Sequence, residues 1–154
     1  VIEYTYVSSS ENKAIAEALQ NMWQSELGVK VKLENREASS FGEALFSANY
    51  QMAPFIWTPD YNDPISFLNL WASDSMNNVA FYASEEYDKI IQEVKQSEDN
   101  AQRMTLMHEA ESLLIKDAAV APVFFYTQLY MLNKDIKGMY YSPLGYFFFG
   151  YCTK

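Results

Sequence analysis

Two short alternating runs flank one amphipathic run, and this arrangement restricts the fold more than any other feature of the chain. Ile2-Glu3-Tyr4-Thr5-Tyr6-Val7 and Val29-Lys30-Val31-Lys32-Leu33 alternate in side-chain character and are rich in β-formers. Between them Ile15, Leu19, Met22, Trp23 and Leu27 recur at helical spacing, and Gly28 stands at the stop. Ser8 and Glu11 have the spacing of a capping box at the helix start. Strands joined through a helix favour a right-handed βαβ crossover, hence a parallel pair.

The pattern continues. Ser40 and Glu43, with Phe41, Ala44 and Leu45, predict a short second helix. Gln51 to Trp57 is apolar and stops before Pro59, as a third strand would. Pro64 suits a first helical turn capped by Asp63, running through Phe67, Leu68 and Trp71. Ser84 is placed to cap a helix carrying Tyr87, Ile90, Ile91 and Val94. Asp99 and Gln102 open another, with Leu106, Ala110, Leu113 and Leu114 on one face. Val120 to Leu132 is expected to form one or two buried strands, and 134–137 a turn. Tyr140 to Tyr151 is rich in Gly and aromatics and has no assignable period. The order β-α-β-α-β, then helices, then late strands predicts an α/β layered lobe with a mixed, mostly parallel sheet flanked by helices. In such folds ligands collect beyond the carboxyl ends of strands, where the loop from Trp57 to Pro64 would lie.

Charge narrows the partners. The 154 residues carry 11 Lys and Arg against 20 Asp and Glu, a net charge of −9, which disfavours nucleic acid and anionic lipid. Cys152, the one cysteine, can form neither an internal disulfide nor a thiolate zinc site alone. No apolar run approaches the roughly 20 residues of a membrane helix. The chain opens without Met, directly in strand-like sequence, as a piece of a longer protein does.

The residues Asn49-Tyr50-Gln51-Met52, then Trp57-Thr58-Pro59-Asp60-Tyr61-Asn62-Asp63-Pro64, then Phe67-Leu68 carry a specific pattern. A Trp is followed after two residues by Asp-Tyr, then by an acid, Pro and Phe-Leu. This resembles the family 5 solute-binding proteins of ABC importers, the group of oligopeptide- and dipeptide-binding proteins. Weaker pieces agree in order: Leu27-Gly28-Val29, Ser75-Met76-Asn77-Asn78 with Tyr82, and Ala101-Gln102-Arg103 leading to Ala121-Pro122-Val123. The resemblance covers nearly the whole chain, matched to the carboxyl-terminal portion of the family.

The resemblance implies a periplasmic-binding-protein-like (type II) lobe, with 1–154 as the carboxyl-terminal ligand-binding lobe of a two-lobed protein. It implies extracytoplasmic location, peptide as ligand, an ABC permease as partner and no covalent chemistry. It also implies that roughly 120–154 crosses back to a first lobe lying upstream. Without that lobe the aromatic tail, Tyr140, Tyr141, Tyr146, Phe147, Phe148, Phe149 and Tyr151, is expected to drive self-association. The alternative for the tail is that these rings fill the lobe's own core.

By resemblance Asp60 receives the ligand's α-ammonium group. An ammonium leaving water requires an anionic partner. The alternative is a turn residue bonding nearby backbone N–H groups. Ile56 and Thr58 would pair their backbones with the peptide main chain, and Trp57 would wall the pocket or, alternatively, fill a core. Asn77 and Asn78 either border the cleft or are solvated loop residues. Ala53-Pro54-Phe55 stands where some oligopeptide binders carry a cation near the ligand carboxylate, so the peptide's far end needs other groups. A non-peptide solute, such as an oligosaccharide or metal chelate, is the second reading.

Other chemistries lack their residues. Ile65 and Trp71 stand where a calcium loop beginning at Asp60 needs Gly and Glu. His108 is the sole histidine, on a predicted helix surface, with no partners for a triad or metal pair. Asp60 and Asp63 read as turn and cap rather than as a glycosidase pair. There is no phosphate loop, nucleophile elbow or dinucleotide fingerprint, so neither a cofactor nor a catalytic role is expected.

Overall fold

The computed structural model describes residues 1–154 as two compact units, one formed by 1–56 with 73–83, the other by 57–72 with 84–154. In the first, β1 (Ile2–Val7) pairs in parallel with β2 (Val31–Arg36), Ile2 opposite Val31 and Val7 opposite Arg36. The crossover helix α1 (Ser10–Leu27) packs on both strands. Tyr4, Tyr6, Ala16 and Val31 form the buried cluster, with Leu19, Trp23, Val29, Leu33 and Met52 around it. Thr5 points the other way along the pleat and is also buried, its hydroxyl donating to Glu34 Oε2 at 3.1 Å. α2 (Ala38–Phe46) packs against β1 and buries Phe41, Ala44 and Leu45. Burial on both faces suits a strand in a parallel arrangement.

Local chemistry sets the ends. Gly28 takes the left-handed conformation (φ 65°) that closes α1, its N–H donating to Gln24 O. The start of α1 differs from expectation by one residue: Ser9, not Ser8, is the cap, its hydroxyl accepting from Asn12 N at 3.0 Å. Ser40 is not a cap either. It lies inside α2 and donates to Glu37 O, because the helix already begins at Ala38. Of the face expected on α1, Met22 and Leu27 are exposed, since two strands cover only the middle of an 18-residue helix.

The third strand is reduced to one bridge. Met52 pairs in parallel with Tyr4, donating its N–H to Glu3 O and accepting from Thr5 N. Pro54, two residues on, has no N–H to extend the ladder. Residues 53–59 run without regular structure.

In the second unit α4 (Glu85–Gln96) packs on α5 (Asn100–Lys116), and α3 (Ile65–Leu68) packs on α5. The core is Tyr87, Ile90, Ile91 and Val94 from α4, Met107, Ala110 and Leu114 from α5, and Ile65 and Leu68 from α3. The buried face of α5 is thus centred on Met107, Ala110 and Leu114, with Leu106 and Leu113 half-buried at its margins. Ser84 and Asp99 cap as expected, accepting from Tyr87 N and from Ala101 N and Gln102 N. A single 3₁₀ turn, Asn69–Trp71, continues α3.

The late strands expected over Val120–Leu132 do not form. The segment has no regular structure, and Phe125, Leu129 and Met131 are 99%, 91% and 102% exposed. β-forming side chains give a preference for extension, but a strand needs a neighbour for its N–H and C=O groups, and no part of the chain supplies one here. The aperiodic tail contains a hairpin instead. β3 (Tyr140–Tyr141) and β4 (Phe147–Phe148) pair antiparallel across a turn in which Gly145 N donates to Ser142 O. Lys137 and Thr153 exchange both backbone bonds below it. Gly138 (φ 79°) is required there: a Cβ would fall 2.2 Å from Tyr151 O. Tyr141 and Tyr130 pack on Phe147 with ring centroids 4.8 and 5.0 Å apart. No helix is long and apolar enough to cross a membrane.

Candidate ligand-recognition segment

The carboxylates of the Trp-to-Pro motif have separate fates. Asp63 is folded inward. Its Oδ1 accepts from Ile65 N at 3.0 Å, closing the open end of α3, so the expected capping function is present although Pro64 is the residue at the helix boundary. The same carboxylate takes both prongs of the Arg103 guanidinium, Nη1 to Oδ2 at 2.7 Å and Nη2 to Oδ1 at 3.0 Å. Both side chains are about three-quarters removed from solvent. The guanidinium hydrogen bonds hold the Asp63 carboxyl below its usual range, against the opposing effect of partial burial, and the Ile65 N–H adds to them. In turn Asp63 raises the Arg103 guanidinium. Two-pronged pairing of this kind fixes orientation as well as charge.

Asp60, three residues earlier, is exposed and makes no hydrogen bond or ion pair with the chain. The turn function considered for it is carried by Asp63. Trp57 is half-buried, and Thr58 is exposed. Neither Ile56 nor Thr58 is engaged in a backbone hydrogen bond. Trp57, Thr58 and Asp60 thus follow one another in the second unit, on the stretch leading into the Asp63 clamp. Ile56, 62% exposed, and Asn77, also exposed, belong to the first unit.

Within the first unit the 73–83 loop is held by a residue that sequence reasoning left open. Asn78 Nδ2 donates to Tyr82 O at 2.7 Å, and Asn78 Oδ1 accepts from Tyr82 N at 3.2 Å. An amide side chain, with donor and acceptor side by side, can satisfy both backbone groups of one residue. The clamp encloses Phe81, a non-glycine residue at φ 52°, and the Tyr50 hydroxyl donates to Val79 O in the same loop. Asn78 is therefore a scaffold residue, whereas Asn77 donates only its backbone N–H, to Ser75 Oγ.

The second unit has a matching internal tie: the buried Tyr87 hydroxyl donates to Leu68 O at 2.8 Å, joining α4 to the end of α3. Arg103 and Tyr87 were both missed as supports of the motif. The signal for Tyr87 is a phenol on an otherwise aliphatic buried face, which needs a hydrogen-bond partner. His108 lies on the exposed side of α5, 3.7 Å from Glu111. No three His, Cys, Asp or Glu side chains gather as a metal site.

Residues 1–79 match the family model described as bacterial extracellular solute-binding proteins, family 5 Middle. The dipeptide-binding protein DppE of Bacillus subtilis is 41% identical over 145 residues, 94% of this chain and 27% of that protein. The periplasmic oligopeptide-binding protein OppA of Salmonella typhimurium is 38% identical over 133 residues, 86% of this chain and 24% of that protein. Among solved structures, Haemophilus influenzae OppA in complex with the peptide RPPGFSPFR superposes with a TM-score of 0.82 at 32% identity, over 89% of this chain and 27% of that one. The chain thus spans about a quarter of the length of these relatives.

Proposed function

Because the chain belongs to the bacterial extracellular solute-binding proteins of family 5, we propose that it is the carboxyl-terminal lobe of an extracytoplasmic two-lobed protein that clamps an oligopeptide and delivers it to an ABC permease. The type II periplasmic-binding-protein-like fold of its structural relatives and the peptide named with one of them support this reading. The protein acts by hinge closure around its ligand and carries out no covalent chemistry. Asp60 fixes the peptide's α-ammonium group. The backbones of Ile56 and Thr58 add the peptide main chain as an extra strand, which reads no side chains and so accepts many sequences. Trp57 walls the pocket, and Asn77 borders it.

The observation that carries this proposal is the exposed Asp60 carboxylate, without a partner in the chain, two residues after Thr58, whose backbone makes no hydrogen bond. A carboxylate with no partner in its own chain is available to a cation from outside. In the two-lobed protein, Asp60→Ala is expected to weaken binding of a free-amine peptide at least tenfold, the scale of a lost charge-assisted hydrogen bond. An uncharged oligosaccharide would bind the variant and the parent alike. Calorimetry showing unchanged peptide affinity in Asp60→Ala would overturn the assignment. The 154-residue chain alone is expected to bind peptide weakly or not at all, because half of the enclosing surface is supplied elsewhere. We also propose that roughly 120–154 crosses back to the first lobe, and that the chain alone self-associates through its aromatic carboxyl-terminal segment.

A further inference from the structure

We propose that Arg103 is a positioning residue for ligand recognition: by gripping Asp63 with both guanidinium prongs it holds the 57–63 stretch so that Asp60 meets the incoming ammonium in one fixed place. This inference rests on the reading of Asp60 as the ammonium acceptor.

The geometry supplies the argument. Between half-buried Trp57 and clamped Asp63 lie five residues, of which Thr58, Asp60, Tyr61 and Asn62 are exposed. Asp60, Tyr61, Asn62 and Asp63 form bends, with no helix or strand to stiffen them. Inside this stretch one short backbone bond, Asp63 N to Tyr61 O at 2.9 Å, restrains the far side. The end of the stretch is fixed by three bonds to a single carboxylate: two from Arg103 and one from Ile65 N. Arg103 stands one turn into α5, whose start Asp99 caps and whose Met107, Ala110 and Leu114 are buried in the unit's core. The guanidinium therefore ties a stretch without regular structure to a helix packed in the core. An exposed carboxylate on an unanchored loop samples many positions, and each must be given up when a cation binds. Anchoring the loop beforehand removes that entropic loss.

Arginine is the residue suited to this task. Its planar fork engages both carboxylate oxygens and so fixes the plane of Asp63, whereas an ammonium on a flexible stem fixes only a distance. Asp63, in turn, does not exchange roles with Asp60, because both its carboxylate oxygens are already engaged by Arg103 and one of them by Ile65 N.

The test is a double-mutant cycle in the two-lobed protein, with trialanine as probe and affinity read by calorimetry. Asp60→Ala comes first: if it leaves trialanine affinity unchanged, the acceptor reading itself fails. If Asp60→Ala weakens binding, Arg103→Met is expected to weaken it about tenfold while Asp60 is present and less than twofold in the Asp60→Ala background. Equal weakening in both backgrounds assigns Arg103 a purely structural role and overturns the proposal, as does no weakening at all. Arg103→Lys, which keeps the charge, replaces Arg103→Met in the cycle if the latter lacks a cooperative melt. The lysine variant is expected to lose about threefold, again only with Asp60 present, and the same two outcomes overturn the proposal.

Discussion

At the residue scale, two aspartates three positions apart show how partners decide function. Asp63 is spent on its own fold, and Asp60 is left for something else. The pH behaviour of the chain follows from the first. Because the Asp63 carboxyl is held below its ordinary value in the folded state, its pairing with Arg103 stabilises the fold fully above the unfolded value, near 3.8. That contribution is lost as pH falls through the lower folded value. Asp63→Asn is expected to cost about 1–3 kcal/mol between pH 5 and 8, the range for a charge-assisted hydrogen bond. The difference between parent and variant in urea unfolding should shrink below about pH 4. A difference that grows on acidification would contradict the pairing.

At the element scale, the helices are written plainly in the sequence and the late strands are not. Gly28, Ser84 and Asp99 each announce a helix end through the chemistry of one backbone bond, so they can be read from single residues. The Ile2–Val7 and Val29–Leu33 alternation likewise reports a parallel pair, because the two strands are joined through a single helix. Val120–Leu132 has equally suggestive side chains but no partner strand, and propensity cannot say whether one exists. The Asp63–Arg103 tie was illegible for a related reason: forty residues separate its members, and an acid before Pro reads only as a local cap. The family motif was legible, through Trp57, Asp60 and Pro64, while the Arg103 tie that supports it was not. One helix end could be improved. Ala118, after α5, holds φ 55°, and its N–H donates to Ile115 O. Glycine is at ease there and alanine is not. Ala118→Gly is expected to raise stability by about 0.5–1 kcal/mol, read as a higher urea midpoint with the slope unchanged.

At the scale of the whole molecule, residues 120–151 leave many large apolar side chains exposed. Phe125, Leu129, Met131 and Tyr151 are all at least 87% exposed. Patches of this kind mark surfaces that pack on something else. Sedimentation velocity of the isolated chain should show mass rising with concentration. Phe125→Ser, Leu129→Ser and Met131→Ser together should reduce that rise, with α4 and α5 intact by circular dichroism. A wild-type chain that sediments as a monomer at every concentration would remove the self-association proposal.

The chain passes between its two compact units three times, after residues 56, 72 and 83. No single scission can therefore part them whole. A nick after 56 strips 73–83 from the first unit, and a nick after 83 strips 57–72, with both aspartates, from the second. A protease or a gene truncation aimed at isolating residues 57–72 will always damage one scaffold, so these sixteen residues are best studied by exchange in place, as a cassette.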